Sequence, residues 1–211
     1  MITTLATVSV SVVLGALLWT LGEYLLHRFA MHELRGKGIM SREHLEHHVT
    51  SSWSFSFLHL LSWTGMLAVG AVLWLPLGWV LAGPLAGAGL LAGWAIGYFF
   101  YEYHHAQAHL QAPAGRYGDW LRHHHFHHHF GHPMANHGVS TWWWDKVFGT
   151  LEQPDVVRVP RRLALPWMVD RDGELLPEFV GRYELVGSRD ASERLAGIDR
   201  ARAFASQAPV D

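Results

Sequence analysis

Residues 55–75 read FSFLHLLSWTGMLAVGAVLWL, an uncharged apolar run long enough for a helix across the ~30 Å hydrocarbon core of a membrane. Similar runs cover residues 2–22 and 79–100, and Pro76 and Gly78 break the chain between the second run and the third. Three such runs in 211 residues are uncommon among the buried helices of soluble proteins. The sequence therefore predicts an all-α integral membrane protein with about three transmembrane helices, at residues 2–26, 55–75 and 79–101.

The positively charged residues all fall on one side of these predicted helices. All 16 Lys and Arg lie within residues 28–42 or 116–202. By the positive-inside rule this side is cytoplasmic, so the N-terminus faces outward in a bacterial inner membrane. Residues 1–27 contain no Lys or Arg, which favours a retained membrane segment over a cleaved signal peptide. The net charge of −2 gives no reason to expect nucleic-acid binding.

Histidines are concentrated on the same side as the positive charges. The chain contains 17 histidines and no cysteine, which excludes disulfides, Fe–S clusters and thiolate zinc sites. Apart from His59, near the inner end of the second run, every histidine lies beyond the inner ends of the predicted helices. Three helices would thus deliver sixteen histidines to one membrane face, in a cytoplasmic histidine-rich helical cap.

The spacing of the histidines predicts a metal site. Residues three or four apart share one face of a helix, so three groups can each face a common centre: His44, His47 and His48; His105 and His109; His125, His128 and His129. His27 and His32 are five apart, about 140° around an ideal helix, and converge only if the helix bends or ends between them. Neutral imidazole suits Fe, Zn, Cu and Ni. Ten ligands are too many for one metal ion and suit two.

The run HHHFHHH, residues 123–129, contains more histidines than this spacing uses. His123, His124 and His127 fall outside the pattern, and we expect them to lie behind the ligands or to face solvent. The segment HLEHH is not the H-E-x-x-H of zinc peptidases.

The order of these histidine groups resembles that of the membrane fatty acid hydroxylase/sterol desaturase superfamily. The pattern H-x4-H, H-x2-H-H, H-x3-H, H-x2-H-H is interrupted by a hydrophobic hairpin, as in that superfamily. GYFFYEYHHAQAH, residues 97–109, is similar to its tyrosine- and histidine-containing stretch. NHGVSTWWWDKVFGT, residues 136–150, is similar to its closing W-D-x-x-F-G-T signature. The resemblance covers residues 19–150.

The resemblance implies a di-metal oxygenase site whose native cofactor is two iron ions, with zinc possible in overproduced protein because of its higher affinity. The implied metal ligands are His27, His32, His44, His47, His48, His105, His109, His125, His128 and His129. The linker between His32 and His44 is short for this superfamily, and the first membrane hairpin of larger members is reduced to one span. No cytochrome b5 domain accompanies the site in this sequence, so electrons are expected from a separate cytochrome b5-, ferredoxin- or rubredoxin-like protein.

Three further residues of these motifs are candidates to support the ligands. Metal-bound histidines usually hydrogen-bond through their second nitrogen, a role open to Asp145 and Glu102. The alternative for each carboxylate is a helix cap or an ion pair. Asn136 either faces the metals or turns the chain before Gly138. We assign residues 1–150 to a membrane hydroxylase domain and residues 151–211 to a cytoplasmic tail with one helix at about 191–205.

The sequence leaves more than one function open. The first is an O₂-dependent hydroxylase of a membrane lipid, at a fatty acyl C–H bond near the head group. A carotenoid ring hydroxylase or a sterol-type oxidase would use the same chemistry. The alternative of another class is a non-catalytic membrane protein that stores or senses metal.

Overall fold

A computed structural model describes residues 2–189 and 193–211 of the chain. Its longest elements are the helices α1 (Ile2–Leu25), α3 (Phe57–Ala82) and α4 (Pro84–Leu110). Continued by a π-helical segment to Glu33, α1 joins α3 and α4 as the helices in the described residues that are long and apolar enough to cross a membrane. The predicted integral membrane protein with three apolar helices agrees with this finding.

The chain divides into two compact units, and the first contains Met1–Glu23 and Phe55–Tyr103. In this unit α1 and α4 approach at glycines. A Cβ atom on Gly15 would lie 2.1 Å from the carbonyl oxygen of Leu90, and one on Gly93 would lie 2.0 Å from that of Val12. Such contacts allow no larger side chain and are typical of close packing between membrane helices. The Trp94 indole joins α4 to α3 by donating to the Met66 carbonyl at 3.0 Å.

The predicted break at Pro76 and Gly78 is wrong. Helix α3 continues through both residues to Ala82, and the chain turns instead at Gly83, where φ is +90°. Proline inside a membrane helix is tolerated when neighbouring helices compensate the lost hydrogen bond. Gly78 serves packing rather than turning, because a Cβ there would lie 2.6 Å from the Cα of Gly87. The second and third helices are therefore longer than the predicted 55–75 and 79–101.

The second unit contains Tyr24–Ser54 and His104–Asp211. Its elements are α2 (Ile39–Thr50), α5 (Gly115–Phe126), α6 (Trp143–Phe148) and α7 (Glu193–Phe204), together with π-helical segments at Leu26–Glu33 and His127–Gly131 and short 3-10 helices at Arg161–Leu163 and Pro177–Phe179. Helix α7 confirms the predicted terminal helix over its described residues; residues 191 and 192 lie outside them.

Residues 151–211 are more ordered than the sequence predicted. Strands β1 (Val157–Pro160) and β2 (Tyr183–Val186) pair in parallel, with Val157 opposite Tyr183. The all-α prediction missed this pair because four-residue strands are too short to show periodicity. The Trp167 indole donates to the Ala108 carbonyl at 3.0 Å, so this segment packs within the same unit as the histidines. The proposed functional boundary at residue 150 stays a prediction, since the compact units have other limits.

Candidate metal centre

Five imidazoles of the second unit converge in what we call cluster I: His27, His32, His44, His48 and His128. Their Nε2 atoms face one another at short distances. The separation is 2.9 Å between His44 and His32, 3.0 Å between His27 and His44, and 3.1 Å between His128 and His48. Three segments contribute these rings: the first π-helical segment, α2 and the second π-helical segment.

The other five imidazoles form cluster II: His47, His105, His109, His125 and His129. The Nε2 atoms of His105 and His47 are 3.1 Å apart, and those of His109 and His125 are 3.0 Å apart. The rings of His129 and His48 stack with centroids 4.1 Å apart and an interplanar angle of 9°, so the two clusters are neighbours.

A π-helical segment places the two histidines whose spacing does not fit an α-helix. His27 and His32 both lie in Leu26–Glu33. In a π-helix the backbone hydrogen bond joins residues i and i+5, so side chains five apart come close to one face. From the sequence we expected the helix to bend or end between His27 and His32; instead the helix widens to a π-helix there, and the two rings converge. The second segment shows the same bond, from the His132 amide to the His127 carbonyl at 2.8 Å.

Burial favours the neutral form of several of these imidazoles. All ten are buried except His47, which is partly exposed. Burial, and then the charge that neighbouring histidines would carry, lowers the pKa of five of them well below the ordinary 6.5: His44, His48, His125, His128 and His129. A neutral ring keeps a lone pair available for a metal.

Backbone carbonyls fix the orientation of several rings. The Nδ1 of His27 donates to the His137 carbonyl at 2.5 Å, and that of His128 donates to the Ala135 carbonyl at 2.7 Å. Because a carbonyl only accepts, Nδ1 carries the proton and Nε2 presents its lone pair to cluster I. In cluster II the Nδ1 atoms of His47 and His109 reach the carbonyls of Ser52 and Ser51 at 2.9 Å each.

Asp145 supports the loop that supplies these carbonyls. It is fully buried, and its carboxylate accepts from the amides of His137 and Gly138 at 2.8 Å each and from the Thr150 hydroxyl at 2.8 Å. Burial raises the pKa of Asp145, but the nearby His124 ring and the hydrogen bonds from Gly138 and Thr150 outweigh it, and the pKa lies below its usual value. Asp145 thus holds the His137 amide, and the carbonyl of His137 in turn holds the His27 ring.

Asn136 turns the chain rather than facing the clusters. Its φ is +55°, and its side-chain amide donates to the carbonyls of His124 and Glu152 at 3.2 and 2.8 Å. Its side-chain oxygen accepts from the Glu152 amide at 2.8 Å. Glu102 lies in the first unit and is half-buried, so a role for it in supporting ligands stays a prediction.

The donor set of each cluster fits a transition metal. A metal–nitrogen distance of about 2.1 Å separates two ligands at right angles by about 3.0 Å, which matches the observed Nε2 separations. Within the described residues, both ring nitrogens of the buried His129 lack a hydrogen-bond partner, as expected of a ring that awaits a cation. Five nitrogens leave one position of a six-coordinate metal for another ligand. Each cluster can therefore hold one metal ion.

Comparison with known proteins gives the site its context. Residues 12–150 match the fatty acid hydroxylase family, a range that contains all ten clustered histidines. The chain belongs to the fatty acid hydroxylase family. It is 34% identical to the human protein "Fatty acid 2-hydroxylase" over 145 residues, which is 65% of this chain and 38% of that protein. It is 31% identical to "Dihydroceramide fatty acyl 2-hydroxylase FAH2" of Arabidopsis thaliana over 149 residues, or 70% of this chain and 63% of that protein.

The solved hydroxylase domain of full-length scs7p has a similar fold. It superimposes with a TM-score of 0.55 at 24% identity, over 72% of this chain and 64% of the other. The chain spans well under half of the length of the human relative.

Two further histidines of this family member are buried near the clusters, and one of them, His137, was assigned no role from the sequence. His137 is fully buried beside cluster I, with its ring centroid 5.6 Å from that of His27 and 5.7 Å from that of His128. Burial lowers its pKa to about 3. His124 is buried with its Nε2 3.7 Å from Asp145, which agrees with the expectation that it lies behind the ligands. For His137, the signal was its position directly before Gly138 in the closing motif.

Proposed function

We propose that the chain is an O₂-dependent di-iron hydroxylase that inserts one oxygen atom into a C–H bond of a fatty acyl lipid. The observation that carries this proposal is the pair of five-histidine clusters, joined by the stacked rings of His48 and His129. Two iron ions held there would supply the O₂ activation that an unactivated C–H bond requires, since acid–base groups alone cannot cleave it. Either cluster taken alone would be an ordinary metal site.

The protein's own contribution is orientation and exclusion of water. The carbonyls of His137 and Ala135 hold the rings of His27 and His128 in the tautomer that binds metal. The Asp145 carboxylate holds the loop at His137 and Gly138 through their backbone amides. Nine of the ten imidazoles are buried, so the reacting atoms would lie in a nearly dry site.

We propose the acyl carbon next to the head group as the position oxidised. The named relatives are a fatty acid 2-hydroxylase and a dihydroceramide fatty acyl 2-hydroxylase, which favours the 2-position. The C–H bond is replaced by C–O–H, and the second oxygen atom leaves as water. The balance needs two electrons and two protons, and a separate cytochrome b5-, ferredoxin- or rubredoxin-like protein would supply the electrons.

The test is expression with a reductase system under ¹⁸O₂, followed by mass spectrometry of total lipids. We expect ¹⁸O in a 2-hydroxyacyl lipid with the wild-type chain and none with the His128→Ala variant, which loses a ring of cluster I. Label in a hydroxy-carotenoid or a sterol would transfer the proposal to the corresponding substrate. No labelled lipid, with both metals present and reduced, would favour the non-catalytic metal-binding alternative.

We also propose that the clusters face the cytoplasm of a bacterial inner membrane. The one-sided distribution of Lys and Arg supports this orientation. Because the chain has no cysteine, single cysteines report their side of the membrane directly. Cysteines replacing Thr3 and the exposed Ala82 should react with an impermeant reagent in intact cells, and Ser188→Cys should not. Ala82 is preferable to Gly78, where packing leaves no room for a side chain.

A further inference from the structure

The segment that follows the family-matched range, residues 151–211, contacts the metal centre. Residues 151–211 lie outside the matched range 12–150, yet Ser206 is buried against His32 of cluster I. The Ser206 hydroxyl oxygen lies 3.3 Å from the His32 Nδ1 and 3.3 Å from the His32 carbonyl oxygen. For His27 and His128, by contrast, the Nδ1 partner is a carbonyl within the matched range.

The chemistry of a hydroxyl fixes the tautomer of His32. A serine hydroxyl has one hydrogen and two lone pairs. Its hydrogen goes to the His32 carbonyl, so a lone pair faces the His32 Nδ1, which must carry the proton. The Nε2 is then unprotonated, and it lies 3.0 Å from the Nε2 of His128 and 2.9 Å from that of His44. Ser206 therefore does for His32 what a carbonyl does for the other two rings.

The backbone at Ser206 ends helix α7 in a left-handed conformation. Its φ is +55°, in the left-handed region that residues other than glycine rarely occupy. Ser206 is the left-handed residue of a Schellman motif that ends α7: its amide donates to the Ala203 carbonyl at 2.8 Å, and the Gln207 amide donates to the Arg202 carbonyl at 2.9 Å. This helix end brings the Ser206 hydroxyl against His32.

Helix α7 anchors Ser206 in place. The Phe204 ring covers Gly36, where an added Cβ would lie 2.5 Å from the ring. Deeper in the segment, Arg162 and Asp199 form a buried bidentate ion pair with two distances of 2.8 Å and side-chain exposures of 3% and 5%. At the surface, Arg200 pairs with Glu46 of α2, the helix that carries His44 and His48.

We infer that Ser206 is a positioning residue for the metal of cluster I, and that residues 151–211 complete a metal centre whose ten histidines lie in the family-matched range. This inference rests on the proposed di-metal site. Since partners of a ligand's second nitrogen typically contribute 10- to 100-fold to metal affinity, loss of the Ser206 hydroxyl should weaken metal binding at cluster I and spare cluster II.

The test compares Ser206→Ala, Ser206→Gly and the control Gln207→Ala, each as the full-length protein in detergent loaded with Co²⁺. Gln207 is the exposed neighbour of Ser206. Metal content per chain, the visible Co²⁺ spectrum and the rate of release to a chelator are measured. We expect one of the two Co²⁺ ions to leave about 10-fold faster in both Ser206 variants, with its absorption band shifted. Gln207→Ala should behave as wild type.

The glycine variant separates orientation from folding. Glycine adopts φ of +55° readily, so Ser206→Gly keeps the backbone conformation while it removes the side chain that carries the hydroxyl; Ser206→Ala removes the hydroxyl alone. Wild-type release rates and spectra in both Ser206 variants would overturn the inference while leaving the two-metal proposal intact. Equal acceleration of both ions would also overturn it, because the segment would then act on the whole fold. Wild-type protein that binds no Co²⁺ in cluster I would overturn the inference and the di-metal proposal together.

Discussion

Clusters I and II each contain five histidines, but they differ in the hydrogen bonds that orient the rings. In cluster I, the Nδ1 atoms of His27, His32 and His128 each have an oxygen partner. In cluster II, the Nδ1 atoms of His47 and His109 have such partners, whereas those of His125 and His129 have none among the described residues. Hydrogen-bonded rings are oriented before a metal arrives, so cluster I should bind its metal more tightly than cluster II.

The helical segments that carry the histidines also differ between the two clusters. Cluster I depends on both π-helical segments, including the pair His27 and His32 at five-residue spacing. Cluster II takes His105 and His109 from the regular end of α4, at four-residue spacing, and only His129 from a π-helical segment. A π-helical segment is uncommon and found often at functional sites. The π-helical segments thus contribute three rings to cluster I and only one to cluster II.

The largest expected effect is the loss of a ring from either cluster. His128→Ala should remove the metal of cluster I, and His129→Ala that of cluster II. Each variant should keep about one metal per chain and lose hydroxylation by more than about 100-fold, since a lost ligand costs more than a lost hydrogen-bond partner of a ligand. Elemental analysis and product formation under ¹⁸O₂ measure the two effects.

The control for these variants is His123→Ala, in the same run of histidines but outside both clusters. It should keep two metals and most of the activity. Full activity in His129→Ala would show that cluster II is dispensable and that the site uses one metal.

A smaller effect is expected from Asp145, which acts on cluster I through the loop that holds His27. Asp145→Asn keeps the shape but leaves one of the amides of His137 and Gly138 without its acceptor. We expect metal affinity at cluster I to fall by about 10- to 100-fold and cluster II to be unaffected. Competition with a chelator measures both affinities.

Asp170 provides a matched control for Asp145. Its carboxylate also accepts from two backbone amides, those of Asp172 and Glu174 at 2.9 Å each, but in an exposed turn. Asp170→Asn should change neither affinity. Equal losses at clusters I and II in Asp145→Asn would mean that the closing motif supports the whole unit rather than one cluster.

The sequence predicted the membrane helices and the clustered histidines because both leave regular signals. Apolar runs of about 20 residues need no tertiary information to indicate a spanning helix. Spacings of three and four placed His44 with His48 and His105 with His109 on common helix faces. That grouping did not say which rings share a metal: His47 joins cluster II, while its neighbour His48 joins cluster I.

The features that the sequence missed depend on contacts distant along the chain. The π-helical segment at Leu26–Glu33 has no local signature beyond the spacing of its two histidines. Pro76 looked like a break because proline usually ends a helix in water, whereas packing within a membrane helix pair tolerates it. Ser206 lies 174 positions from His32, and no periodicity links them.

The smallest effect should be the same for His128 of cluster I and His129 of cluster II, because both side chains are fully buried. Burial lowers the pKa of both His128 and His129 well below 6.5. Below pH 6.5 each ring takes up a proton in the unfolded chain but not in the folded one. The apo protein should therefore lose stability as the pH falls through 6.5 and keep it above, by about 1.4 kcal/mol per pH unit for each such ring.

The two alanine variants turn this into a measurement. In metal-free protein, His128→Ala and His129→Ala should each reduce the slope of unfolding free energy against pH between pH 6 and 5, and by equal amounts. Denaturant unfolding in detergent at several pH values gives these slopes. A reduced slope in His128→Ala alone would mean that His129 takes up its proton without unfolding. Cluster II would then differ from cluster I in water access as well as in the hydrogen bonds to its rings, and of the two clusters cluster I alone would exclude water.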